Sequence, residues 1–180
     1  MYVIAIDGRA AAGKTTLASR LASELNASII HMDDFFLPGG LRTAERLVEP
    51  GGNIHYERFT EEILPYIKKI IPFSYKIFDC ARADFNGIRE VSSEPVRIVE
   101  GSYSCHPIFG DYATLRIFCD ISPEMQIERI ENRNGKNVAK IFAEKWIPLE
   151  ENYFKFFRVK EAADILKVDG KMRNDYNIVC

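Results

Sequence analysis

The chain has only four cysteines, Cys80, Cys105, Cys119 and Cys180, and no two of them form a C-x-x-C pair. That spacing argues against a zinc knuckle or a disulfide scaffold, and three of the thiols lie in apolar or loop contexts typical of reduced cysteine. Long hydrophobic runs are missing as well. No stretch approaches the roughly 20 apolar residues needed to cross a bilayer. The opening run from Tyr2 to Ile6 is too short for a signal segment and has no basic leader, so a cytoplasmic protein is expected. Neither sign of charge is in large excess: 24 lysines and arginines face 26 acids, for a formal net charge of −2. Nothing therefore draws the whole surface toward nucleic acid or anionic lipid, although a local basic pocket could still hold a phosphate. Internal repeats, low-complexity tracts and an N-K-x-D guanine-reading stretch are also absent. What remains is 180 residues, 47% of them apolar, enough to build the core of one compact α/β domain.

The pattern along the chain alternates strands with helices. YVIAID is a continuous apolar run ending at Gly8, the pattern of a strand buried on both faces. A helix is expected from Lys14 to about Leu25, with Leu17, Leu21 and Leu25 on one face packed against the sheet. SIIHM, residues 28–32, reads as a second strand. The next segment, with Pro38-Gly39-Gly40 and Pro50-Gly51-Gly52, reads as a long functional loop. A helical pattern from Tyr56 to about Ile70 is interrupted at Pro65, and a short strand or hairpin is expected around Phe73 to Phe78. VRIVEG (96–101), TLRIFCDI (114–121) and ADILKV (163–168) are further strands. Ser122-Pro123 opens a helix to about Arg133, Asn134-Gly135 stops it, and a second helical stretch covers roughly Val138 to Phe157.

The strongest motif is Gly8-Arg9-Ala10-Ala11-Ala12-Gly13-Lys14-Thr15, which fits G-x-x-x-x-G-K-[ST] between a strand and a helix. Its glycines let backbone N–H groups turn inward around a phosphate. The helix N-terminus adds positive potential, Lys14 neutralises β/γ oxygens, and the Thr15 hydroxyl suits Mg²⁺. Gly8, Ala11, Ala12, Gly13, Lys14, Thr15 and Thr16 are thus the candidate nucleotide-binding residues, with ATP and Mg²⁺ as the expected cofactors.

In open α/β sheets, ligands sit beyond the carboxyl ends of the strands, and there the chain places Asp33, Asp34 and Glu100. Phosphoryl transfer needs a carboxylate to orient the accepting hydroxyl and acids to hold Mg²⁺, which makes Thr15, Glu100 and Asp34 candidate metal ligands. Phe35 and Phe36 could stack on a ring or plug the core. His31 reads as a core or edge histidine, and the aromatic run from Trp146 to Phe154 as packing. Arg42, Arg46 and Arg58 could hold a second phosphate or simply belong to a solvated loop.

On these motifs the sequence resembles the uridine kinase-like branch of P-loop kinases, a group that includes uridine-cytidine kinases, nicotinamide riboside kinases and phosphoribulokinase. IDGRAAAGKTTLA is similar to the family P-loop, and HMDDFFLP to its D-[DS]-F-[FY] motif, which implies Asp33 as catalytic base. GGNIHYERF resembles a substrate-side N-x-D segment, with His55 where the acid would fall. FDCAR resembles a Y-D segment, implying Asp79 on ribose hydroxyls with Arg82 close by. IVEGSYSCHP resembles an E-G segment, implying Glu100 near Mg²⁺ and Tyr103 or His106 near the acceptor. The acceptor would lie between residues 33–58, with Phe36 and Tyr56, and residues 79–106. Arg129 and Arg133, four apart on one helix, can reach one polyphosphate, and the resemblance implies a lid turning at Asn134-Gly135-Lys136. Lys14, Arg129 and Arg133 thus join Asp33 as catalytic candidates.

The implied fold is a P-loop NTPase of the nucleoside/nucleotide kinase type. It has a five-stranded, mostly parallel sheet flanked by helices, and a helical lid. The whole chain, 1–180, forms one domain, with an acceptor-side insertion at about 34–95 and a lid at about 129–145. The implied activity is ATP-dependent phosphorylation of a small-molecule alcohol, a nucleoside first of all. The alternatives are another small metabolite as acceptor, such as a phosphosugar, vitamin or cofactor precursor, or a regulatory protein that binds nucleotide without catalysis. Neither nucleic acid nor membrane is an expected partner, and a homo-oligomer is left open.

Overall fold

The computed structural model describes residues 1–173, so Cys180 lies outside the described residues. A six-stranded sheet is ordered β2-β5-β1-β6-β7-β8. Its strands are β1 (Tyr2–Gly8), β2 (Ser28–His31), β5 (Val96–Glu100), β6 (Leu115–Asp120), β7 (Ile165–Val168) and β8 (Lys171–Arg173). The first five are parallel, as the sequence predicts. The sheet has six strands rather than five because β8 folds back antiparallel on β7. The turn between them is Asp169-Gly170, both at positive φ (50° and 83°), the hairpin signal that Asp-Gly carries.

Alternation along β1 builds two cores. Val3 and Ala5 pack with Ile30, Met32, Phe35, Phe118 and Tyr153. Ile4 and Ile6 point the other way, onto Leu17, Ala18, Ile98, Ile117 and Cys119. The helix α1 (Lys14–Leu25) starts and ends as expected, capped at Gly13 and by left-handed Asn26. Its apolar face is shorter than expected: Leu17 is buried and Leu21 half-buried, but Leu25 is exposed. The long loop after β2 holds α2 (Ala44–Val48), which Thr43 caps by accepting from the Arg46 amide.

The helix α3 (Tyr56–Glu62) does not continue to Ile70. Pro65 lacks an amide hydrogen and disfavours helical backbone in the residue before it, so turns fill residues 63–71. The expected strand at 73–78 is one arm of a separate hairpin, β3 (Phe73–Asp79) with β4 (Asp84–Val91). The helix α4 (Pro123–Asn134) is capped by Ser122 and stopped by Gly135. The following helical stretch is α5 (Lys136–Ile141), a π-turn at Phe142–Trp146, and α6 (Ile147–Phe157). Pro148 accounts for the wide turn. Its ring would strike the carbonyl of Glu144 in a regular helix, and Glu144 lies inside the π-turn.

Among the described residues, no helix is long and apolar enough to cross a membrane. Cys80, Cys105 and Cys119 are free thiols.

Candidate active site

The carboxyl ends of β1, β2 and β5 meet at one cavity of about 420 Å³. Its floor is the loop from Gly8 to Thr15. Gly8 (φ 129°) passes so close to β6 that a Cβ there would lie 2.0 Å from the Cys119 carbonyl oxygen, which excludes any side chain. Lys14 is buried and curls back over the loop. Its amine donates to the carbonyl oxygens of Gly8 (2.7 Å) and Arg9 (2.9 Å) and reaches Ser102 Oγ at 3.3 Å.

Next to it, Thr15 Oγ1 donates to Glu100 Oε2 at 3.1 Å, while Glu100 Oε1 pairs with His31 Nδ1 at 2.6 Å. A hydroxyl and a buried carboxylate in contact at the wall of the cavity are an oxygen donor set of the kind Mg²⁺ takes, so Thr15 and Glu100 fit that ion. His31 is then a residue that orients Glu100, which its place at the end of a strand had concealed.

Asp33 opens onto the same cavity. The crowded walls raise its carboxyl pKa above the ordinary 3.8; Lys14 opposes that rise, and Glu100 adds to it by repulsion. Arg129 and Arg133 line the opposite wall, with Arg129 Nη1 donating to the Ala11 carbonyl at 3.2 Å. Ala11, Gly13 and Thr16 line it too, whereas Ala12 packs in the second core and donates its amide to the Arg9 carbonyl.

A second cavity of about 300 Å³ adjoins the first, and Phe36, Phe142 and Glu150 line both. Tyr103 lines this second space at φ 75°, a strained conformation for a side chain with a Cβ. Asp7 holds it there, accepting from the Tyr103 amide (3.1 Å), the Cys105 amide (2.8 Å), the Gly8 amide (2.6 Å) and the Tyr153 hydroxyl (2.8 Å). Phe36 thus faces the cavities, while Phe35 is fully buried between Phe59 and Tyr75.

Several expected site residues have other places. Asp34 is buried with its carboxylate on the Tyr75 hydroxyl (3.0 Å) and Arg89 Nε (2.8 Å), tying the hairpin to the body. It lies in a 3₁₀ turn, Met32–Phe35, whose threefold repeat sends consecutive side chains in different directions, so it does not join Thr15 and Glu100 as a metal ligand. Tyr56 lies under the Arg46 guanidinium and donates to Glu49, away from both cavities. His106 is a satisfied core histidine: Nδ1 accepts from the Ile108 amide, Nε2 lies 3.2 Å from the Pro50 carbonyl, and the ring stacks on Tyr153. Asp79 closes the β3–β4 turn on the Ala81 and Arg82 amides and lines a third, more open space of about 340 Å³ that Asp33 and Phe36 also border. Arg82 projects outward, its side chain 69% exposed.

Glu150, Ser102 and Trp146 also line the cavities, and motif reading passed over them as site residues, whereas Arg42, read as a phosphate holder or loop residue, and Asn53, the asparagine of the N-x-D-like segment, line the second. Trp146, expected to pack, is a wall of the second cavity. The signal for Glu150 was present: an acid standing among Trp146, Tyr153 and Phe154 on one helical face.

A comparison of the sequence with protein-family models and with curated proteins finds no match. Solved structures do share the fold. A structure described as a possible uridine kinase from Bacillus stearothermophilus superposes with a TM-score of 0.68 at 19% identity, covering 92% of this chain and 87% of that one. One assigned as a fructose transport system kinase from a Silicibacter species gives 0.66 at 23% identity, covering 90% and 85%. D-glycerate 3-kinase from Cryptococcus neoformans var. grubii gives 0.58 at 15% identity, covering 83% and 78%. The fold is that of the P-loop kinases.

Proposed function

We propose that the chain is an ATP-dependent kinase that transfers the γ-phosphoryl group to a hydroxyl of a small molecule, a nucleoside or a similar ring-bearing alcohol. The observation that carries this reading is the pair of adjoining cavities, one floored by Lys14 and faced by Asp33, the other walled by aromatic side chains. ATP would lie on the loop from Gly8 to Thr16, with Lys14, Arg129 and Arg133 around the β- and γ-phosphates. Thr15 and Glu100 would hold Mg²⁺, which neutralises charge building on the phosphate oxygens. Asp33 Oδ would orient the acceptor hydroxyl and take its proton as the O–P bond forms and ADP leaves. Phe36, Phe142 and Tyr103 would exclude water, so that ATP is not simply hydrolysed. Nucleosides suit the second cavity in size and in its stacking surfaces, Phe36 and Trp146. A panel of alcohols, read by coupled ADP detection with Mg²⁺-ATP, tests the reading. Acceptor-dependent ADP release supports it, and failure of every nucleoside removes that substrate class.

A further inference from the structure

The charged groups of the second cavity are few, and their arrangement is informative. Of the three arginines near the long loop, two are spent inside the protein. Arg46 holds Glu57 with both terminal nitrogens, together with the Gly52 and Ile54 carbonyls. Arg58 is buried on Glu62 and on the Asp34 and Lys76 carbonyls. Only Arg42 lines the cavity; its Nε donates to the Leu37 carbonyl at 2.6 Å and its guanidinium lies 5.9 Å from the Trp146 ring centre. Facing the same space is Glu150, so the formal charges that line it, Arg42 and Glu150, sum to zero.

Glu150 is 6% exposed. One oxygen accepts from the Ala10 amide at 3.0 Å and the other from the Ser102 hydroxyl at 2.6 Å. A carboxylate offers about four lone-pair positions, so these bonds leave capacity facing the cavity. Asn53, also 6% exposed, lines the same space, and its amide oxygen is buried with no hydrogen-bond partner among the described residues. A ligand that left the remaining Glu150 lone pairs dry would bear the cost of unmade bonds. A carboxylate or phosphate brought to Glu150 would either face its charge or draw a proton onto it, and both weaken binding.

We propose that Glu150 is a specificity-determining residue of the acceptor cavity: it admits uncharged alcohols that bring hydrogen-bond donors, and it disfavours acceptors with a carboxylate or phosphate there. This rests on the reading of the second cavity as the acceptor site of a kinase. The competing role is purely structural, with Glu150 serving only to hold Ala10 and Ser102.

The test is calorimetric titration of wild type, Glu150→Gln and Asn53→Leu, with AMP-PNP and Mg²⁺ present, against uridine and orotidine, panthenol and pantothenate, and glycerol and glycerate. Gln loses the charge, keeps the Ala10 bond through its oxygen and can donate its amide to Ser102 Oγ, whose hydroxyl also reaches the Gly8 carbonyl at 3.2 Å. Wild type is expected to bind the neutral member of a pair about tenfold or more tightly, and Glu150→Gln to shrink that preference by about fivefold. Asn53→Leu should weaken the neutral ligand about tenfold and leave the charge preference in place. Preference for the anionic member, an unchanged preference in Glu150→Gln, or no binding by any pair overturns the proposal. If Glu150→Gln does not fold, Arg42→Gln replaces it. Removing the compensating cation should widen the neutral preference about fivefold, and an unchanged preference overturns the proposal. Turnover of the same compounds is read separately: binding with the stated preference but without ADP formation refutes the kinase reading and not the role of Glu150.

Discussion

Thr15 Oγ1 and Glu100 Oε2, 85 residues apart in sequence, meet at 3.1 Å at the edge of the cavity over the loop from Gly8 to Thr15. Two strands deliver them: β1 feeds the loop that starts α1, and β5, its hydrogen-bonded neighbour, ends at Glu100. If this pair holds the ion, Thr15→Val and Glu100→Gln should each lower apparent Mg²⁺ affinity about 10- to 100-fold, as loss of a ligand or of its support does. A Mg²⁺ titration of fluorescent-nucleotide binding checks this.

Asp34 should behave differently from Asp33 despite being its neighbour. Asp34→Ala removes the partner of the 36%-exposed Arg89 and of the buried Tyr75 hydroxyl, so the expected cost is about 1–3 kcal/mol, or roughly 2–12 °C in melting temperature. Mg²⁺ affinity should stay within about threefold of wild type. Thermal melts and the same Mg²⁺ titration decide between anchor and ligand.

Asp7 is the centre of a four-bond cluster that fixes both the phosphate loop and the strained Tyr103. Asn offers one acceptor oxygen in place of two, so Asp7→Asn leaves buried donors unpaired at about 1–3 kcal/mol each. The expected outcome is a melting temperature lower by several degrees and weaker nucleotide binding. Calorimetry and nucleotide titration measure the two effects.

Burial raises the Glu150 carboxyl above its ordinary 4.5, against the opposing pull of Lys14. A raised acid keeps its proton longer in the folded state, so folding is progressively disfavoured as pH climbs from about 4.5 through the folded pKa. Glu150→Gln has no such proton to lose. Its stability relative to wild type should therefore be greater at pH 7.5 than at pH 4.5, as paired denaturant titrations at the two values would show.

The parallel sheet, the phosphate loop and the acids at strand ends were legible because each rests on local pattern. A buried strand reads as an unbroken apolar run, and a glycine-rich turn before a helix has few other uses. Less legible was which of two adjacent aspartates faces the ligand, since that depends on the 3₁₀ turn into which they fall. His106 looked chemical and is structural, because its partners, Pro50 and Tyr153, come from distant segments. The second cavity was hidden for the opposite reason. Of its walls, Asn53 belongs to the N-x-D-like segment, but Trp146 and Glu150 form no motif and join it only when the helical stretch of α6 packs beside the loop after β5.

The most direct test is acceptor-dependent ADP formation by wild type and Asp33→Asn, with nucleotide binding measured on the same preparations. The account predicts that Asp33→Asn binds Mg²⁺-ATP within about threefold of wild type while its acceptor-dependent kcat falls about 10²- to 10⁴-fold, the usual contribution of a general base. An Asp33→Asn protein that turned over its acceptor at the wild-type rate, or a wild type that bound ATP but formed no more ADP with any alcohol than without one, would contradict it.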